Sequence, residues 1–351
     1  MDRTEMPPQA ALLQVIEGYW LSRVVWLAAR LKLADIVGDR TASLADLARA
    51  TGKNPVPLGR LLRALTANGI FREDASGAFS QTPMSTALRT GQPGSLRAFV
   101  ELSLGHDHYE AWGQIESCLT EEGTAFERLY GMPVFAYYAR HPELEAGFAE
   151  AMTDMSAVAT KGIVGSYRFP SFTRAIDIGG GRGTLLAAML KDHPDAEGIL
   201  FDQPTVVGSL PGDDPDATAP GRLKLVGGDF FESVPPGGDL YIMKSVLHDW
   251  DDQRCVRILS NIRGAIALQG RLVVIEQILP APNQPHLSPL MDLNMMVMTG
   301  GAERTEKEYG HLLERGGFHI DKVVATRSPF SVIEATPAAA ESRTPGARLG
   351  P

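Results

Sequence analysis

The sequence lacks the features that would place it in several protein classes. Cysteine occurs only twice in 351 residues, at Cys118 and Cys255, with neither a CxxC pair nor a Cys/His metal spacing. That speaks against a disulfide framework and a zinc site, and it suits a reducing cytoplasm. No run approaches the roughly 20 apolar residues needed to cross a bilayer. The first eight residues, Met-Asp-Arg-Thr-Glu-Met-Pro-Pro, carry acid and no apolar core of signal-peptide type, so no membrane partner is expected. Positive charge is also short. With 33 Lys/Arg against 42 Asp/Glu, the net charge is −9, which argues against nucleic acid as the main partner. At this length two domains can each bury a core, and 44% hydrophobic content is ordinary for a globular protein. Composition leaves a cytoplasmic enzyme or a regulator.

What is present is sharper. In Ala175-Ile-Asp-Ile-Gly-Gly-Gly-Arg-Gly-Thr184 an apolar-rich run meets glycines and then a helical pattern at Leu185, Leu186, Met189 and Leu190. That reads as a buried strand, a tight turn and a helix, the place where α/β sheets bind nucleotide-like ligands. Strands are expected at 175–178, 198–202, 223–226, 240–243, 272–276, 322–325 and 331–335. Helices are expected at 184–192, 253–267, 287–298 and 305–316. This alternation predicts a doubly wound, mostly parallel sheet. Residues 211–220 read as an acidic, Pro/Gly-rich loop.

Toward the N-terminus, residues 11–37 read as an amphipathic helical stretch with more apolar surface than a small domain hides, which a partner chain would cover. An N-capped helix from Ser43, a second helix over 57–68 and a hairpin over 69–80 make a winged-helix pattern. Its presumed recognition helix offers only Arg60 and Arg63, without the Lys/Arg stripe and Asn/Gln readers of a DNA-binding surface. A dimerisation or lid role suits it better. Residues 96–167 are helical and aromatic-rich.

The ligand of the glycine turn is narrowed by what surrounds it. A G-x-G-x-x-G/A fingerprint fails, because the third position falls on Thr184 or Leu186, and no P-loop Lys follows. Gly179 and Gly181 offer close backbone approach. Asp202 ends the second strand, where a carboxylate accepts from ribose hydroxyls. Asp229 and Phe230 follow the third strand and suit an adenine edge and face. Ribose and adenine partners without a pyrophosphate fingerprint favour S-adenosylmethionine (SAM) over NAD.

Six motifs then carry a family resemblance over about residues 10–335: Asp177-Ile-Gly-Gly-Gly-Arg-Gly, Phe201-Asp-Gln-Pro, Gly228-Asp-Phe-Phe, Met243-Lys-Ser-Val-Leu-His-Asp-Trp-Asp251, Val274-Ile-Glu-Gln-Ile-Leu-Pro280 and Gly300-Gly-Ala-Glu-Arg-Thr305. The chain resembles the metal-independent, plant-type small-molecule O-methyltransferases (caffeate- and hydroxyneurosporene-like) and their bacterial natural-product relatives. The resemblance implies a winged-helix-like dimerisation domain at 1–100, a helical segment at 101–170 contributing to a substrate pocket, a Rossmann-like SAM-binding domain at 171–335 and a disordered tail at 336–351. It implies a homodimer, cofactor contacts at Gly179, Asp202, Asp229, Phe230 and Lys244, a base at His248, flanking carboxylates at Glu276 and Glu303, and no metal. Phe230 stands where the plant enzymes usually carry Met.

The chemistry agrees. A phenol of pKa near 10 is a poor nucleophile at pH 7, and a histidine within reach can take its proton during in-line methyl transfer. A carboxylate behind the imidazole fixes its tautomer; Glu276 is the first candidate and Glu303 the second. Asp249 reads as a helix cap. Met152, Asn294, Met295 and Met298 are candidate walls for a flat aromatic acceptor, although Met at helical spacing is more often core. Competing readings are an N-methyltransferase, a SAM-binding member with hydroxylase or decarboxylase chemistry, and a winged-helix regulator.

Overall fold

The computed structural model describes residues 6–210 and 221–338. The loop at 211–220 and all but the start of the expected tail lie outside the described residues. The chain forms two compact units, one ending at Val158 and joined by Val297–Thr299, the other beginning at Ala159. The segment expected as a separate helical piece therefore divides at residue 158, and most of it belongs with the N-terminal unit.

In that first unit, α1 (Pro8–Arg30) opens with proline at its start, where the missing N–H costs nothing. The helix expected through residue 37 breaks instead at Lys32, which takes a left-handed φ of 52° before α2 (Leu33–Val37). A strand not anticipated from the sequence, β1 (Ala42–Ser43), leads into α3 (Leu44–Thr51), where Ser43 and Asp46 form a reciprocal cap. After α4 (Pro55–Ala67), β2 (Phe71–Glu73) and β3 (Ala78–Gln81) form the expected hairpin, and β1 adds to it in the order β1-β3-β2. Leu33, Leu47, Leu62, Leu65 and Phe71 fill the space between helices and hairpin. The helices α5 (Pro83–Thr86), α6 (Arg97–Ser103), α7 (His106–Gly113), α8 (Ala125–Tyr130) and α9 (Val134–Tyr138) follow. The long α10 (Pro142–Val164) then crosses from one unit into the other. Phe126 is the hub of this stretch, with Tyr137 edge-on at 5.4 Å and Tyr138 and Val297 in the same buried cluster.

The second unit is a seven-stranded sheet: β4 (Arg174–Ile178), β5 (Glu197–Asp202), β6 (Leu223–Gly227), β7 (Leu240–Lys244), β8 (Arg271–Glu276), β9 (Phe318–Ala325) and β10 (Ser331–Pro337). Their spatial order is β6-β5-β4-β7-β8-β10-β9. The first five are parallel, while β10 runs antiparallel to both β8 and β9. Strand β10 also continues to Pro337, two residues into what the sequence suggested was tail. Apolar residues fill both faces, with Ile176 and Ile178 on one side and Ala175 on the other. The helices are α11 (Thr184–Asp192), α12 (Pro204–Gly208), α13 (Asp252–Ala265), α14 (Ser288–Met298) and α15 (Glu306–Arg315). Strand order reverses between β4 and β7, so the loops leaving these two strands diverge and open a crevice at their carboxyl ends.

Leu62 is fully buried at the centre of the N-terminal unit. Leu62→Ala is expected to lower stability by roughly 2–5 kcal/mol in a urea titration followed by circular dichroism.

Candidate active site

The turn after β4 is shaped by what its glycines must avoid. Gly179 has a φ of +67°, and a Cβ there would come within 2.9 Å of Val246 and 3.9 Å of the Phe230 ring. At Gly180 a Cβ would meet Leu200 at 2.3 Å and the Asp177 carboxyl at 2.7 Å. The backbone therefore lies closer to its neighbours than any side chain permits. Gly181, expected to approach the cofactor, spends its N–H on Asp202 Oδ2 at 2.8 Å. It pins the carboxylate, while Gln203 N donates to Oδ1 at 2.7 Å. Burial raises the Asp202 pKa against these two bonds. Asp229 is exposed and accepts from Phe231 N at 2.8 Å, a turn that sets the Phe230 ring edge-on to Phe231 and Trp250.

Lys244 ends β7 and is held between the charges of Asp177 and Glu276. Burial lowers its pKa, and the two carboxylates oppose that. Asp177 is itself pushed up to about 7 by burial, with Lys244 acting against the rise.

His248 lies in a short 3-10 turn, Leu247–Asp249, entered through Ser245 at a left-handed φ of 57°. Its Nδ1 is 2.9 Å from Glu303 Oε1 and 3.7 Å from Glu276 Oε2. The two glutamates thus exchange the ranks expected of them. Glu303 makes the hydrogen bond to the ring, whereas Glu276 Oε1 accepts from Val246 N at 2.9 Å and Leu247 N at 2.8 Å. A carboxylate at the end of a neighbouring strand meets the backbone of the turn first; only a returning loop reaches Nδ1 squarely. Asp249 is no cap either. Asp251 caps α13 through Arg254 N, and Asp249 Oδ1 instead lies 3.8 Å from His248 Nε2. Burial raises Asp249 to about 6 and Glu276 to about 7. Burial alone would lower the imidazole, but Glu276, Asp249 and Glu303 outweigh it and push His248 up to about 10.

Three further residues hold this arrangement without having been singled out from sequence. Arg304, almost fully buried, donates to the carbonyls of Leu247 and Trp250 and to Asp252 Oδ1, tying the Glu303 loop to the His248 turn. Asp292 Oδ1 accepts from Glu303 N at 2.9 Å. A Cβ on Gly301 would stand 2.0 Å from the His248 carbonyl oxygen. For Gly301 and Arg304 adjacency to Glu303 in the Gly300–Thr305 motif was the available signal, whereas Asp292 lies on α14 outside that motif, and which backbone each would meet depends on the fold. Among the expected acceptor walls, Met298 is a core residue, 2% exposed and clustered with Val297 and Phe126. Met295 is buried, Asn294 is half-buried, and Met152 belongs to the N-terminal unit.

The O-methyltransferase domain family matches residues 112–319, and its dimerisation domain matches 13–91. The chain belongs to the O-methyltransferase family. It is a SAM-dependent methyltransferase, and the regulator reading falls away. The methyltransferase is 39% identical to phenazine O-methyltransferase PhzM of Lysobacter antibioticus, over 95% of this chain and 97% of that one. The crystal structure of LaPhzM superposes with a TM-score of 0.90, covering 95% of this chain and all of that one. Phenazine-1-carboxylate N-methyltransferase of Pseudomonas aeruginosa is 34% identical over 92% of this chain and 96% of its own. A solved O-methyltransferase from neocarzinostatin biosynthesis, NcsB1, in complex with S-adenosyl-L-homocysteine and 1,4-dihydroxy-2-naphthoic acid, is 29% identical with a TM-score of 0.75, covering 90% and 96% of the two chains. No helix among the described residues of the methyltransferase is long and apolar enough to cross a membrane.

Gly301→Ala tests the close approach that seats Glu303. The added methyl group forces the loop off the His248 turn, so methyl transfer should fall at least about tenfold. S-adenosylhomocysteine binding by calorimetry should remain near wild type, because the glycine turn after β4, Asp202 and Phe230 lie on other loops.

Proposed function

We propose that this methyltransferase moves the methyl group of SAM onto an aromatic hydroxyl of a small natural product, with His248 as general base and no metal ion. The observation that carries the reading is the 2.9 Å bond between His248 Nδ1 and Glu303, which occupies that nitrogen and leaves Nε2 to serve an acceptor. Bound SAM supplies an electrophilic methyl group on a sulfonium. The glycine turn fits it, since a Cβ at Gly179 would occupy the space beside Phe230, and both Asp202 oxygens keep a lone pair for the ribose hydroxyls. Phe230 offers a face to the adenine, and the Asp229 turn sets that ring. Lys244 presents a cation at the end of β7, next to the turn.

Only about one phenol in a thousand is ionised at pH 7, so proton removal accompanies methyl transfer. Nε2 takes the hydroxyl proton, and the resulting imidazolium lies among Glu303, Glu276 and Asp249, whose charges stabilise it. The same charges set the pH dependence. A histidine pushed up to about 10 rests largely protonated at neutral pH, and its base form is populated as pH rises. The value of kcat/KM should therefore climb from pH 7 toward pH 9 and level off only above the pKa of the base. The sulfonium charge would bring that pKa down. His248→Gln should lower methyl transfer by about 10²-fold or more, with SAM binding unchanged; near-normal turnover would refute the assignment.

A flat aromatic acceptor is supported by the phenazine relative and by the dihydroxynaphthoic acid bound to NcsB1. The Pseudomonas relative favours an amine acceptor as a second reading. A panel of phenols and aromatic amines with labelled SAM separates the two. His248, Glu276 and Glu303 offer ligand atoms within 4.8 Å of one another, so metal independence is tested directly. Turnover unchanged by EDTA is the expected result, and loss restored by a divalent cation would overturn it.

Two copies are proposed to pair through α1. It exposes Leu12, Leu13, Ile16, Tyr19 and Trp20, with Trp20 57% exposed, and the family's dimerisation domain covers this helix from residue 13. Ile16→Glu with Trp20→Glu should shift the mass measured by light scattering from dimer to monomer.

A further inference from the structure

Among the buried polar atoms with no hydrogen-bond partner are Glu276 Oε2 and Glu303 Oε2, on the two carboxylates beside the His248 ring, and the Tyr309 hydroxyl. Both carboxylate side chains are 0% exposed, as is Tyr309. Tyr309 lies on α15 in the buried cluster that holds Val246 and Leu247, whose N–H groups Glu276 accepts, and its strongest charged neighbours are Glu276 and then Glu303, ahead of Arg304 and Cys255. Buried polar atoms are rarely left unpaired, and three at one place call for a common partner.

Hydrogen-bond counting identifies that partner. Two carboxylate oxygens can only accept, and a tyrosine hydroxyl can donate. One water molecule, donating to each oxygen and accepting from the hydroxyl, satisfies all three groups and meets the usual number of contacts for a buried water. We propose that Tyr309, through one bridging water, is a positioning residue that orients the Glu276 and Glu303 carboxylates behind His248 and so sets how tightly the imidazole keeps a proton. The inference rests on the reading of His248 as the base. Burial keeps the Tyr309 hydroxyl itself protonated well beyond the ordinary tyrosine range, so it remains a neutral donor.

The sign follows from the chain of contacts. A donor to a carboxylate favours the charged form, and charged carboxylates favour imidazolium. Loss of the hydroxyl lets Glu276, the charge that most raises His248, take up a proton more readily, and the His248 pKa falls. Other charges face the cluster. Lys244 acts on Glu276 from β7, Asp249 acts on His248 from its own turn, and Arg304 and Cys255 flank Tyr309. None of these is altered by Tyr309→Phe, which keeps the ring and removes one oxygen.

The test follows the His248 ring by NMR in the full-length protein bound to S-adenosylhomocysteine, across pH 6 to 11, in wild type and Tyr309→Phe. The midpoint should fall by about half a pH unit or more in the variant, with calorimetric affinity for S-adenosylhomocysteine unchanged. An unchanged midpoint overturns the proposal, because a residue that merely fills space would lower the melting temperature without moving a titration. This readout needs no turnover, so full activity in His248→Gln would sink the base assignment and leave the Tyr309 result legible. Should Tyr309→Phe fail to fold, a high-resolution crystal structure of the wild type decides. A water within hydrogen-bond distance of all three atoms supports the proposal. A metal ion there, a direct hydroxyl–carboxylate bond or an empty gap overturns it.

Discussion

The site depends on keeping several carboxylates buried beside one imidazole. Unpaired, such charges are among the most costly groups a protein can bury, and removing a single partner leaves the others exposed to that cost. Each is therefore bound to something fixed. Glu276 takes two backbone N–H groups from the turn that carries His248, Glu303 takes the imidazole, and Asp292 and Arg304 hold the loop that brings Glu303 in. The geometry of the second unit around the β7 and β8 termini follows from satisfying this set.

The same constraint explains the glycines of two separate loops. Around Gly179 and Gly180 the backbone presses against Val246, Leu200 and Asp177, which brings the turn after β4 up to the turn after β7. Gly301 does the equivalent service at the His248 carbonyl. In both places a missing Cβ allows two backbones to meet, and the gain is access of a main chain to a reacting group. Charge follows from this closeness. Lys244 sits between Asp177 and Glu276, so the glycine turn after β4 and the His248 turn share one electrostatic neighbourhood.

Much of the fold was legible because its signals are local. The parallel strands read as apolar runs, with Asp177 next to last in β4 and Asp202 and Glu276 ending β5 and β8, and α11 begins at Thr184, where the helical pattern starts. Less legible were features whose cause is distant. The two-residue β1 exists only because β3 lies beside it, and the antiparallel direction of β10 depends on a hairpin with β9 rather than on its own apolar pattern. Met298 read as a pocket wall because of its adaptable, apolar side chain, but its neighbours in a cluster around Phe126 come from far earlier in the chain.

Sequence by itself determined the α/β class and the family and singled out His248, Glu276 and Glu303 as candidates, because strand periodicity, glycine turns and motif residues are written in consecutive positions. Tertiary structure alone decided which glutamate touches Nδ1, that Asp249 faces Nε2 instead of capping a helix, and that Gly181 serves Asp202. Those outcomes turn on distances between loops separated by tens of residues, and such distances are set by how the sheet reverses and how closely backbones pack. The Tyr309 hydroxyl belongs with them: a tyrosine in a helical pattern reads as core until the fold brings two buried carboxylates around it.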